Sequence, residues 1–136
     1  MKTILVVDDS PTIRRMVKVA LAALDNVRFI EAASGLQAIE QLTLNQIGLI
    51  VLDLNMPDMH GLEVLTFVRR HPNYQTLPVI VLTTRGDDTS RDAALNAGAT
   101  LYMTKPFTPT ALADQARALI HVASNGATSE QARVEH

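Results

Sequence analysis

The sequence predicts an α/β domain, a five-stranded parallel sheet with helices on both faces. Two observations predict it. Short aliphatic runs recur five times, at residues 3–7, 27–30, 49–52, 79–82 and 100–103. Between them the apolar residues switch to three- and four-residue steps, the period of a helix face. Strand and helix alternating in this way build a parallel sheet covered on both sides. The 136 residues suit one domain of this kind.

Each element has its own signal. The first strand carries the unbroken run Ile4-Leu5-Val6-Val7, which suits a strand buried on both faces. Ser10 is a good N-cap and Pro11 a good first helical residue. Ile13, Met16, Val17, Ala20, Leu21 and Leu24 then mark the inner face of the first helix. After the second strand, Ser34 caps a helix carrying Leu36, Ile39 and Leu42. The third strand reads Leu49-Ile50-Val51-Leu52, and Leu62, Leu65 and Val68 mark the helix after it. The fourth helix opens at Asp87 or Asp88 and stops at Gly98. Thr108 and Pro109 open the fifth, with Leu112, Ala116, Leu119 and Ile120 inward. Five strands of this type fit the flavodoxin-like order 2-1-3-4-5, joined by right-handed crossovers. The apolar pattern fades after Ile120, so residues 1–121 are expected to form the domain and residues 122–136 a flexible tail.

Composition removes several functions. Twelve basic and fourteen acidic residues give a net charge of −2, which argues against bulk-charge binding to nucleic acid or membrane. There is no cysteine, so disulfides, thiolate zinc sites and cysteine nucleophiles are out. Aromatics are 4% with no Trp, a poor platform for stacking single-stranded bases. Asp8 and Asp9 interrupt the first apolar run too early for a secretory signal, and no run approaches a membrane span. The expectation is a soluble, cytoplasmic domain.

In an open parallel sheet, ligands bind at the carboxyl ends of the strands. Here those ends supply Asp8 and Asp9, then Asp53, then Thr83 and Thr84, and finally Thr104 and Lys105. Three carboxylates in one cleft repel, and one Lys cannot neutralise them. A divalent cation can, and oxygen donors of this kind suit Mg²⁺. Alternatively, Asp8 and Asp9 cap the first helix and Asp53 is a solvated loop residue, a reading weakened by Lys105 at the neighbouring strand end. Walker, dinucleotide and G-x-S-x-G signatures are missing. The histidines (His60, His71, His121 and His136) lack metal-ligand spacing and read as surface residues. A carboxylate beside Mg²⁺ can act as a nucleophile toward phosphorus, with the Lys and a Thr hydroxyl holding the phosphoryl oxygens.

Four motifs together resemble the receiver domains of two-component response regulators, most of all the stand-alone CheY-like chemotaxis type. They are Val-Val-Asp8-Asp9-Ser, Leu52-Asp53-Leu54-Asn55-Met56-Pro57-Asp58-Met59-His60-Gly61, Leu82-Thr83-Thr84 and Thr104-Lys105-Pro106-Phe107. The resemblance covers about residues 2–120. It implies that Asp53 is the phosphoacceptor, that Asp9 binds Mg²⁺ directly and Asp8 largely through water, and that Asn55 offers its backbone carbonyl. It further implies that Lys105 pairs with Asp53 and then with the phosphoryl group. Thr83 and Tyr102 act as switch residues, Lys105–Pro106 is cis, and Pro57 and Gly61 shape the loop. His60 stands where many relatives have Asp. Thr84 and Arg85 flank the site and are expected to modulate the lifetime of the phosphorylated form.

The resemblance thus implies a monomeric phosphoacceptor that catalyses only its own phosphotransfer and dephosphorylation. A CheA-like histidine kinase supplies the phosphoryl group. A target such as a flagellar motor switch protein docks on the face holding Arg91, Tyr102, Ala111 and Gln115. With little chain beyond the domain, output is expected through docking on another protein. A phosphorelay carrier or phosphate sink, passing the group to a histidine phosphotransfer protein, is the alternative. A Mg²⁺-dependent phosphohydrolase would want an acid where Asn55 stands, and the full residue set argues against a degenerate scaffold.

Overall fold

A computed structural model describes residues 1–84 and 86–128, with side chains as far as Ile120. Ten elements alternate: β1 (Lys2–Val7), α1 (Pro11–Leu21), β2 (Val27–Ala32), α2 (Gly35–Leu44), β3 (Leu49–Leu52), α3 (Gly61–Arg70), β4 (Val79–Thr83), α4 (Asp88–Asn96), β5 (Leu101–Thr104) and α5 (Pro109–Thr128). The strands form one parallel sheet in the order β2-β1-β3-β4-β5. This is the flavodoxin-like order that the sequence predicts.

Alternation along each strand divides the core in two. Leu5 and Val7 of β1, Ile50 and Leu52 of β3, and Val79 and Val81 of β4 face α2, α3 and α4. Their neighbours Ile4, Val6, Leu49, Val51, Ile80 and Leu82 face α1 and α5. All twelve are at most 2% exposed. Burying each such side chain contributes roughly 1.5–3 kcal/mol, so the central strands anchor the domain. Every strand in that centre must be apolar on both faces, which is why its sequence runs are unbroken.

The helix caps follow the sequence. The Ser10 hydroxyl accepts from the Ile13 N–H at 3.2 Å, and the Ser34 hydroxyl from the Gln37 N–H at 3.1 Å. Gly98 adopts φ +114° just after α4, where a side chain would be strained. Two inward assignments are corrected. Met16 is 43% exposed and Leu36 is 62% exposed. The buried face of α1 runs through Val17, Ala20 and Leu21, and that of α2 through Gly35, Ala38 and Leu42. Leu36 follows Gly35 by one helical step of about 100°, which turns it off that face. The backbone of α5 also continues past Ile120 to Thr128. The rest of the expected tail, residues 129–136, lies outside the described residues.

Candidate metal and phosphoacceptor site

The carboxyl ends of β1, β3, β4 and β5 converge because the strands are parallel and in register. Val7 pairs with Leu52, and Thr83 with Thr104, so the residues just beyond share one rim. The Asp53 N–H donates to the Val7 carbonyl at 2.9 Å, and the Lys105 N–H to the Thr83 carbonyl at 2.8 Å. These ladder bonds extend past the strand ends and fix the backbone under the site.

Asp8 and Asp53 are buried, whereas Asp9 is exposed at the mouth. One carboxylate oxygen from each of the three lies within 4.8 Å of the others. Lys105 Nζ sits 2.7 Å from Asp8 Oδ2 and 3.5 Å from Asp53 Oδ1. The closer partner is therefore Asp8, whereas the resemblance implies Asp53. Burial pushes the Asp53 carboxyl above the ordinary aspartate range. Lys105 opposes that rise, the neighbouring Asp8 charge adds to it, and a hydrogen bond from the Asn55 backbone opposes it again. Desolvation thus outweighs the Lys105 ammonium. The set fits a small divalent cation: three hard oxygen donors, two of them sheltered and one at the open mouth, with one ammonium nearby among the described residues.

Asp8 is not the cap of α1, a role held by Ser10. Its Oδ1 instead accepts from the Ser10 N–H at 2.9 Å, which leaves Oδ2 for Lys105. Thr83 is fully buried, and Asn55 Nδ2 reaches its hydroxyl at 3.4 Å. The Lys105–Pro106 peptide is cis. Gly61 must be glycine for a steric reason: a Cβ there would stand 2.5 Å from the Asp53 carbonyl and 2.7 Å from Leu54 Cα. Thr84 is exposed beside the site. Arg85 lies outside the described residues.

Tyr102 is half-buried on β5 and packs against the α2–α3–α4 core. With Arg91, Phe107 and Ala111 it lines a shallow groove of about 400 Å³. Gln115 is exposed on α5. A wider cleft of about 1130 Å³ opens at the other end of the sheet, around Lys2, Leu24, Asn45 and Tyr74. It is remote from the carboxylates, and the site follows the chemistry rather than the larger hollow.

Sequence reasoning missed three supporting residues. His60 caps α3, its Nδ1 accepting from the Leu62 N–H at 3.1 Å. Asp58 accepts from the Gly35 and Leu36 N–H groups, each at 3.1 Å, and so ties the loop after Asp53 to the start of α2. Those bonds hold the Asp58 carboxyl below its ordinary range, favoured also by the positive end of a helix. Arg14 reaches the Asp8 carbonyl.

Comparison with known proteins places this geometry. The family model described as the response regulator receiver domain matches residues 4–117. The chain is 38% identical over 128 residues to the chemotaxis protein CheY homolog of Campylobacter jejuni, covering 93% of this chain and 98% of that one. It is 39% identical over 113 residues to the chemotaxis protein CheY1 of Helicobacter pylori, covering 82% and 91%. Among solved structures, the Vibrio cholerae chemotaxis protein CheY4 superposes with a TM-score of 0.80 at 32% identity, covering 88% of this chain and 98% of that one. No helix among the described residues is long and apolar enough to cross a membrane. The chain belongs to the response regulator receiver family of two-component signalling.

Proposed function

We propose that the chain is a signalling switch that accepts a phosphoryl group on Asp53 from a histidine kinase of the CheA type. The observation that carries this is the placement of Asp53, buried at the rim with Lys105 Nζ 3.5 Å away and two further carboxylates beside it. In the transfer, an Asp53 oxygen forms a bond to phosphorus as the phosphorus–nitrogen bond to the kinase imidazole breaks. The imidazole leaves with the electron pair of that bond. Desolvation makes the Asp53 oxygen more basic and a better nucleophile. Asp8, Asp9, Asp53 and the Asn55 carbonyl are the groups that would hold Mg²⁺. When bound, Mg²⁺ supplies positive charge to the phosphoryl oxygens. Lys105 is placed to move from Asp8 toward those oxygens. Thr83 is placed to offer its hydroxyl once the long Asn55 contact yields.

The readout follows from position. Tyr102 lies on the strand that ends at Thr104 and Lys105, and it lines the groove between α4, β5 and α5. A change at Thr83 and Lys105 can therefore bias that groove, where a target protein binds. Similarity across nearly the full length of chemotaxis relatives favours chemotaxis output, with a flagellar motor switch protein as target.

The test is incubation with Mg²⁺ and acetyl phosphate or phosphoramidate, followed by intact-mass measurement. The expected result is a gain of one phosphoryl group, lost in Asp53→Ala and in EDTA. No gain in the wild-type protein would overturn the reading.

A further inference from the structure

Arg14 is a charged residue on a surface helix, yet its side chain is only 15% exposed. Its guanidinium makes two bonds in different directions. Nη1 donates to the Asp8 carbonyl at 2.6 Å, and Nε donates to Glu31 Oε1 at 2.8 Å. Glu31 sits on β2 opposite Val6 of β1, so it stands beside the end of the strand that carries Asp8. Lys18 Nζ holds the other Glu31 oxygen at 2.6 Å. The Arg14 N–H also donates to the Ser10 carbonyl at 3.0 Å, and the Asp8 N–H to the Ala32 carbonyl at 3.1 Å. The turn from Asp8 to Ser10 is thereby closed on one residue through both backbone and side chain.

We propose that Arg14 is a positioning residue that clamps the β1–α1 turn, so that the Asp8 and Asp9 carboxylates stand ready for a divalent cation. This rests on the reading that Asp8, Asp9 and Asp53 form the Mg²⁺ site. The planar fork matters, because two nitrogens of one rigid group span Glu31 and the Asp8 carbonyl. A lysine ammonium is a point charge on a flexible stem and does not reproduce that span. Charge alone argues the other way. A cation near a metal site repels the metal, so removing Arg14 would tighten Mg²⁺ binding if charge were its only effect. The sign of the change therefore separates positioning from charge.

The experiment is calorimetric titration of Mg²⁺ into the wild-type protein, Arg14→Ala, Arg14→Lys and Lys18→Ala, with circular dichroism to check folding. Groups that orient metal ligands typically contribute about tenfold or more to affinity. Arg14→Ala and Arg14→Lys are each expected to weaken Mg²⁺ binding about tenfold. Lys18→Ala removes the same charge and a Glu31 partner without touching the turn, and is expected to stay within about twofold. With acetyl phosphate, the Mg²⁺ concentration for half-maximal phosphorylation rises in both Arg14 variants, while the rate at saturating Mg²⁺ is kept. Unchanged or tighter Mg²⁺ binding in a folded Arg14→Ala, restoration by Arg14→Lys, or an equal loss in Lys18→Ala overturns the proposal. If Arg14→Ala does not fold, Arg14→Lys decides. A wild-type protein that binds no Mg²⁺ overturns the site reading itself, and this inference with it.

Discussion

Replacing Gly61 with alanine tests how tightly the loop behind Asp53, the proposed phosphoacceptor, is built. A Cβ at residue 61 would lie 2.5 Å from the Asp53 carbonyl oxygen, 2.7 Å from Leu54 Cα and 3.0 Å from Leu54 Cδ2. Two of these are backbone atoms, and the Gly61 N–H already donates to the Leu54 carbonyl at 2.8 Å. Relief therefore requires the loop and the start of α3 to separate. Overpacking of this kind costs about 1–3 kcal/mol. Alanine's better helix propensity returns roughly 0.5–1 kcal/mol. The net expectation is a loss centred on about 1 kcal/mol, or roughly 3–4 °C in Tm for a domain of this size. The displaced atoms belong to Asp53 and its neighbour, so phosphorylation by acetyl phosphate is expected to slow as well. Gly48→Ala is the control, because its Cβ would meet chiefly the far end of the flexible Lys2 side chain, Cδ at 3.0 Å. Thermal melts of both variants are the assay. A Gly61→Ala protein that melts with the wild type would show that the loop relaxes freely, and the steric argument would fail.

Three further outcomes follow from the same geometry. In EDTA, Asp53→Asn is expected to melt higher than wild type at neutral pH. An acid whose folded pKa is raised binds its proton more tightly when folded, so its ionised form opposes folding above that pKa. The gain should vanish as pH falls below the ordinary aspartate range, and a variant less stable at neutral pH would refute this. Asp58 has the opposite sign: its lowered pKa gives stability that is full above the ordinary range and lost as pH falls through the depressed value. The Tm deficit of Asp58→Ala should accordingly shrink in acid, and a deficit that does not vary with pH would exclude the charge-assisted cap. Lys105→Ala leaves Asp8 and Asp53 without their ammonium and is expected to cost about 1–3 kcal/mol in EDTA. Added Mg²⁺ should raise its Tm more than that of wild type, which differential scanning fluorimetry can read.

The sheet was legible because its central strands are buried on both faces, and an unbroken aliphatic run has few other uses in a short segment. Helix faces were less legible. Hydrophobicity alone placed Met16 and Leu36 inward, but the buried face of α2 runs through Gly35, Ala38 and Leu42, and Leu36 falls one helical step outside it. The carboxylate cluster was legible through a topological rule, since parallel strands bring their carboxyl ends to one edge. Its supports were not. Asp58 caps a helix that starts 23 residues earlier, and Arg14 meets Glu31 across 17 residues. Neither contact leaves a local pattern. The pairing of Glu31 with Val6 could have exposed the second, because the predicted strand order sets β2 beside β1.

On the proposed reading, the placement of Lys105 suits a switch. Lys105 sits closer to Asp8 than to Asp53, so Asp53 keeps much of its desolvation penalty and its basicity. Had the ammonium paired tightly with Asp53, it would have stabilised the carboxylate and dulled it toward phosphorus. The proposed phosphorylation of Asp53 would reverse the balance. An acyl phosphate there would bring a charge near that of other phosphoryl groups, about −1.5 to −2, to the position where Lys105 is already within reach. Drawing Lys105 across would require releasing Asp8, whose carboxylate would then depend more on a bound cation and on the Ser10 N–H. The backbone of Lys105 is bonded to Thr83, whose buried hydroxyl touches Asn55 at only 3.4 Å. Two weak or divided contacts, Lys105 between two carboxylates and Thr83 at the end of a long bond, thus stand between the site and β5. A switch needs contacts of that kind, because partners held at full strength would not change hands for one added group.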